Sequence, residues 1–191
     1  MENWIAECFQ RSLEVKRAAL ERLRAPIVAA AQLLVAAYQS DGKALFCGNG
    51  GSAADAQHLA AEFVGRYLRN RRALPALALH ANSSALTAIG NDFGYDQVFA
   101  RQVEAWAKPG DVLVGISTTG NSPSVVAAFA AARQRGVKTI ALTGDQGGKL
   151  RESADVLLNV PSTETPRVQE CHILIGHVLC EAVERALFPE T

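Results

Sequence analysis

The spacing of apolar and polar positions changes once along the chain. From Glu2 to about Arg24, apolar residues recur at Ile5, Cys8, Phe9, Leu13 and Leu20 with charges between them, the spacing of an amphipathic helix. Pro26 interrupts this pattern, because a proline inside a helix lacks an N–H and crowds the carbonyl four residues back. A second helix is predicted to about Tyr38, stopped by Ser40-Asp41-Gly42-Lys43. The two make an N-terminal helical hairpin over residues 1–40. Beyond it, short apolar runs alternate with helical patterns. Runs at 43–47, 75–80, 111–116, 138–144 and 154–160 read as strands. Helices are predicted from about Ser52 to Tyr67, over 83–93, over 96–107, over 124–136, and from Thr165 to Leu187.

Strands that are continuously apolar and alternate with helices predict a parallel sheet covered on both faces. The expected fold class is α/β: a three-layer, doubly wound, five-stranded parallel sheet with the helical hairpin added at the N-terminus. A chain of 191 residues suits one domain over 1–191, with residues 41–191 forming the α/β sandwich. The N-terminal helix precedes the sheet and could cover a neighbouring chain, which favours a homo-oligomer.

Composition narrows the function. Lys plus Arg equals Asp plus Glu at 19 each, so no general pull toward nucleic acid or an anionic membrane is expected. The cluster Arg66, Arg69, Arg71 and Arg72 reads as solvated surface, with no nucleic-acid motif beside it. Arg66 could instead face a pocket. No apolar run is long enough to span a bilayer, and the first residues lack the pattern of a signal peptide. Cys8, Cys47, Cys171 and Cys180 fit neither a zinc ribbon nor a disulfide framework, and read as reduced thiols of a cytoplasmic protein.

Two loops fall where such sheets bind ligands, at the carboxyl ends of strands. Ser117-Thr118-Thr119-Gly120-Asn121-Ser122 packs four hydroxyls before Pro123, with Ser122 placed to cap the next helix. Hydroxyls and free N–H groups at a helix start suit a phosphate held by neutral donors. Gly48-Asn49-Gly50-Gly51-Ser52 loosely fits a dinucleotide fingerprint, but no acid ends the next strand to hold a ribose. Its glycines let the backbone approach a small polar substrate, with Asn49 and Ser52 offering hydrogen bonds.

His58 and Glu62, four apart, share one face of the following helix, where they could bind a metal, do acid–base chemistry or simply bond each other. Gln169 and His177 lie in the apolar stripe of the last helix, about 12 Å apart along its axis. Both reach one atom only if the helix bends or two chains contribute, which favours a site at a subunit boundary.

Together "CGNGGSAADAQHLAAEF", "AIGNDFGYD", "GISTTGNSPSVV", "ALTGDQGG" and "PSTETPRVQECHILIGH" resemble the phosphoheptose isomerases, a family of single-domain sugar isomerase (SIS) fold proteins, over nearly the whole chain. The resemblance implies isomerisation of sedoheptulose 7-phosphate to glycero-manno-heptose 7-phosphate, feeding the heptose of lipopolysaccharide inner core. It implies a cytoplasmic homotetramer with active sites between subunits and one zinc ion per subunit. Carried over by motif position, the metal ligands are His58, Glu62, Gln169 and His177. The substrate is held by Asn49, Gly50, Gly51, Asn91, Asp92, Ser117, Thr118, Thr119, Ser122, Glu62 and Gln169. Glu62 and His177 are the expected acid–base pair for transfer through an enediol.

A sister family of the same fold, the DnaA initiator-associating protein, is similar at "ENWIAECFQRSLE" and "LFPE". It is a tetrameric binding module without isomerase activity. That family is expected to lack an acid at Glu62 and a histidine at His177, and this chain has both.

Overall fold

The computed structural model describes residues 1–189. Its elements are α1 (Glu2–Gln39), β1 (Ala44–Gly48), α2 (Gly51–Val64), β2 (Ala76–Ala78), α3 (Ser83–Phe93), α4 (Ala100–Trp106), β3 (Val112–Ser117), α5 (Pro123–Gln134), β4 (Lys138–Thr143), β5 (Val156–Asn159) and α6 (Thr165–Leu187). All five strands are parallel, in the order β2-β1-β3-β4-β5. Side chains of a strand alternate between faces, and here both faces are covered. Ala44, Phe46, Val112, Val114, Ile140 and Leu142 join one buried cluster with α1, α2 and α6. Leu45, Cys47, Leu113 and Ala141 join a second with α4 and α5.

This topology opens the site. From β1 the chain crosses by α2 on one face to reach β2. From β3 it crosses by α5 on the other face to reach β4. The loops after β1 and β3 therefore diverge from adjacent strands, which is the switch point where open α/β sheets hold ligands.

The expected N-terminal hairpin is not formed: α1 is one helix of 38 residues with Pro26 inside it. Buried Ala19, Leu23, Ala30, Leu34 and Ala37 keep one helical register across the proline and lie in the same cluster as Cys171, Ile175 and Leu179 of α6. That continuous apolar stripe outweighs the roughly 3 kcal/mol a mid-helix proline costs. The helix expected over 96–107 is a 3-10 turn, Tyr95–Gln97, followed by the shorter α4, and α2 ends at Val64 rather than Tyr67. Among the described residues no helix is long and apolar enough to cross a membrane. All four cysteines are free. The terminal "LFPE" motif ends outside the described residues.

Candidate active site

The two loops are tied to each other. The Asn49 side-chain amide donates to Ser124 Oγ at 3.0 Å, on the first turn of α5, and its oxygen accepts from the Tyr95 hydroxyl at 2.9 Å. Asn49 thus braces the switch-point crevice. Ser52 is buried, while Gly50 and Gly51 are exposed at the start of α2.

In the loop after β3, Ser117 and Ser122 pair through their hydroxyls at 2.9 Å. Ser122 occupies the N-cap position but makes no side-chain cap, contrary to expectation, because its oxygen is turned to Ser117. Pro123 does begin the helix. Thr119 Oγ1 accepts from the Asn121 N–H at 3.1 Å. A segment with no assigned role in the sequence, Gly144 to Leu150, buttresses this loop. Gly144 N–H donates to the Thr118 carbonyl at 2.9 Å, Leu150 N–H to the Gly120 carbonyl at 3.1 Å, and Lys149 N–H to Asn121 Oδ1 at 3.0 Å. The contact is so close that a Cβ on Gly120 would stand 2.0 Å from the Gly147 carbonyl oxygen.

The expected acid–base residues, Glu62 and His177, come together with His58 where α2 and α6 cross. Gly176 permits the approach, since a Cβ there would lie 2.5 Å from a Leu59 methyl. His58 Nε2 is 3.4 Å from Glu62 Oε1 and 2.9 Å from His177 Nε2. Two ring nitrogens at that distance share a proton, so one imidazole donates to the other. His58 is 46% exposed and Glu62 21%, so the line opens to solvent and to a ligand. His172, in the same stripe of α6, is a core residue. It bonds the Thr143 carbonyl at 3.1 Å, and burial pushes its pKa down to about 4.

Gln169 does not join that line. Its amide nitrogen donates to both carboxylate oxygens of Asp55, at 2.8 and 2.9 Å. Burial raises the Asp55 carboxyl above its usual range, against the opposing pull of Gln169, His58 and His177. Gln169 and His177 therefore reach α2 at different turns, Asp55 and His58, and within this chain they do not meet at one atom. Asn91 and Asp92 are exposed at the end of α3 and hydrogen-bond each other at 2.8 Å, while Tyr95 just beyond them is the residue that reaches Asn49.

The residues missed by sequence reasoning are Asp55, Tyr67, Tyr95 and Ser124. Asp55 had a signal: positions 55, 58 and 62 form one helical stripe. Tyr67, whose ring lies on His177, follows the end of α2, in a stretch that read as helix.

Two imidazoles and a carboxylate are donors suited to zinc. Among the described residues, His58, Glu62 and His177 approach one another but are not arranged about one common ion position.

A family model described as the SIS domain matches residues 8–144. A phosphoheptose isomerase of Roseiflexus sp. is 54% identical over 188 residues, 98% of this chain and 95% of its own. A solved phosphoheptose isomerase from Neisseria gonorrhoeae superposes with a TM-score of 0.91 at 49% identity, covering 96% of this chain and 98% of its own. One from Francisella tularensis gives 0.93 at 36% identity, covering 96% and 97%.

Proposed function

The chain belongs to the phosphoheptose isomerases, a SIS-domain family, and we propose that Glu62 and His177, joined through His58, are the acid–base machinery of its reaction. The enzyme interconverts sedoheptulose 7-phosphate and glycero-manno-heptose 7-phosphate. In the ketose, C1 loses a proton and the C2 oxygen gains one, giving the enediol. The C1 oxygen then loses its proton and C2 gains one, giving the aldose. Glu62, a carboxylate, is suited to carry the C–H proton from C1 to C2. His177, which can donate at one ring nitrogen and accept at the other, is suited to move the proton between the oxygens. The observation that carries this reading is the contact of Glu62, His58 and His177 at the α2–α6 crossing.

The phosphate is assigned to the loop of Ser117, Thr118, Thr119 and Ser122, where hydroxyls and the start of α5 favour an anion. The glycine loop from Asn49 to Ser52, with Asn91 and Asp92, completes the cleft for the sugar. Zinc, one ion per subunit, would be held by His58, Glu62, Gln169 and His177. As a Lewis acid it would polarise the carbonyl oxygen. For Gln169 to take part, its oxygen must face the cluster while its nitrogen stays on Asp55, an arrangement in which the carboxylate orients a metal ligand.

A homotetramer with sites between subunits is part of the same reading. It is supported by Trp4, Phe9, Leu20 and Val28, each more than half exposed on α1. A cytoplasmic setting fits the four free thiols, and supply of lipopolysaccharide heptose follows from the product. The alternative, a non-catalytic tetramer that binds the DnaA initiator, is not favoured, since isomerases stand at 50% and 54% identity.

The test is Glu62→Gln, assayed with sedoheptulose 7-phosphate in deuterated water and for metal content. Turnover and deuterium incorporation should both fall by about 10³-fold; the loss with metal content kept assigns Glu62 to proton transfer, and the loss together with the metal assigns it to metal ligation. Undiminished turnover would remove Glu62 from the chemistry.

A further inference from the structure

We infer that Glu184 and Arg71 form a buried clasp that lays Tyr67 on the His177 imidazole, making Tyr67 a positioning residue for proton transfer. This rests on the catalytic reading of His177, and the experiment below separates the two.

Seven residues, two helical turns, separate His177 from Glu184 on α6, so both face the same way. The Glu184 side chain is 1% exposed, as is that of Arg71. Its carboxylate gathers the N–H groups of three successive residues. Oε1 accepts from Tyr67, and Oε2 from Leu68 and Arg69, each at 2.9 Å. Such a run of N–H groups is an anion-binding concavity, and here the anion comes from the protein itself. Arg71 Nε completes the set at 2.9 Å from Oε1.

The other end of Arg71 grips α2. One terminal nitrogen donates to the Phe63 carbonyl at 2.8 Å and to the Gly65 carbonyl at 3.2 Å. The second donates to the Glu62 carbonyl at 2.8 Å. Glu62 and Phe63 are in the last turn and Gly65 caps it, positions whose carbonyls have no partners within the helix. The clasp thus fixes the end of α2 that carries Glu62, folds residues 65–71 back over α6, and sets the Tyr67 ring against His177. The ring centroids are 5.5 Å apart with planes 24° from parallel. A stacked ring fixes the imidazole plane, and that plane decides whether Nε2 meets His58 at 2.9 Å. The arginine-rich stretch that reads in sequence as solvated surface therefore contains a buried residue, Arg71, with a structural task.

The experiment compares Tyr67→Phe, Tyr67→Leu, Glu184→Gln and the double variant Tyr67→Leu/Glu184→Gln in the whole protein. It measures kcat and KM for sedoheptulose 7-phosphate and the NMR signal of the His177 ring protons. Tyr67→Phe should keep both turnover and the ring-current shift of His177. Tyr67→Leu should lose the shift and lower kcat about tenfold with KM within about twofold. Glu184→Gln should do the same, and the double variant should be no worse than either alone, because both act through one ring. A His177 signal that stays put in Tyr67→Leu overturns the proposal, as does a double variant whose losses multiply. A signal that moves while kcat holds supports the clasp and instead overturns the catalytic reading of His177. Should Glu184→Gln fail to fold, Tyr67→Phe against Tyr67→Leu decides alone.

Discussion

Substitution of Gly120 by alanine probes whether the hydroxyl loop binds phosphate by virtue of its exact placement. Gly120 has φ +68°, where an L side chain costs about 1–2 kcal/mol. Its added Cβ would lie 2.0 Å from the Gly147 carbonyl oxygen and 2.4 Å from the carbonyl carbon, both backbone atoms that no rotamer can move. Restoring an ordinary van der Waals contact needs the two loops to part by about 1.4 Å. That displacement stretches the bonds from Gly144, Lys149 and Leu150 that hold the loop. A displacement of about 1 Å at a positioning group costs on the order of 10²-fold in catalytic efficiency. Steady-state kinetics with sedoheptulose 7-phosphate, and competitive inhibition by inorganic phosphate, read the effect. Efficiency should fall by about that factor, through KM, and phosphate should inhibit more weakly. Gly110→Ala is the control: φ is +96°, but its Cβ would meet nothing within 4 Å. It should lower the melting temperature and leave KM alone. If Gly120→Ala keeps native KM and phosphate inhibition, the loop does not hold the anion.

Three further outcomes follow from the fold. His172 is kept neutral by burial, with its pKa near 4 against an ordinary 6.5, so the unfolded chain takes up a proton that the folded chain refuses. This stabilisation is complete above the unfolded value and is lost as pH falls toward 4. Urea titrations should show His172→Gln losing about 2 kcal/mol less than the native protein between pH 7 and pH 5. Pro26→Ala should raise stability by about 1–3 kcal/mol, because the register of α1 already runs through the proline; a drop in melting temperature would show that the proline shapes the helix. Phe63→Ala, which removes a ring 2% exposed between Tyr38 and Phe46, should cost about 3–5 kcal/mol in chemical denaturation.

The fold was legible because its strands are apolar on both faces and its helices are not, so the change of period marks each crossover. All five strand runs fall within two residues of β1 to β5, and α6 spans the expected Thr165–Leu187. The hairpin failed as an expectation because a local rule about Pro26 met a tertiary stripe that only packing against α6 reveals. In the site, His58 and Glu62 were readable from their spacing. That His177 sits on His58, and Gln169 on Asp55, is set by how α2 and α6 cross, which depends on Gly176 and Leu59, residues far apart in sequence. The bridge from Asn49 to Ser124 is likewise a contact between crossovers, with no local signature.

The placement of the two halves of the site follows from the sheet. The hydroxyl loop leaves β3 toward α5 on one face, and the line of Glu62, His58 and His177 lies on α2 and α6 on the other. They can serve one substrate only at the β1–β3 boundary, where both crossovers begin. His58 stands seven residues beyond Gly51, about 10 Å along α2 at 1.5 Å per residue. On the proposed assignment, a substrate that spans the cleft carries its charge at one end and its reacting carbons at the other, with a run of hydroxylated carbons between. A phosphorylated seven-carbon ketose has that form. Asn49, held between Ser124 and Tyr95, ties the loop after β1 to the start of α5 and so fixes one wall of this cleft.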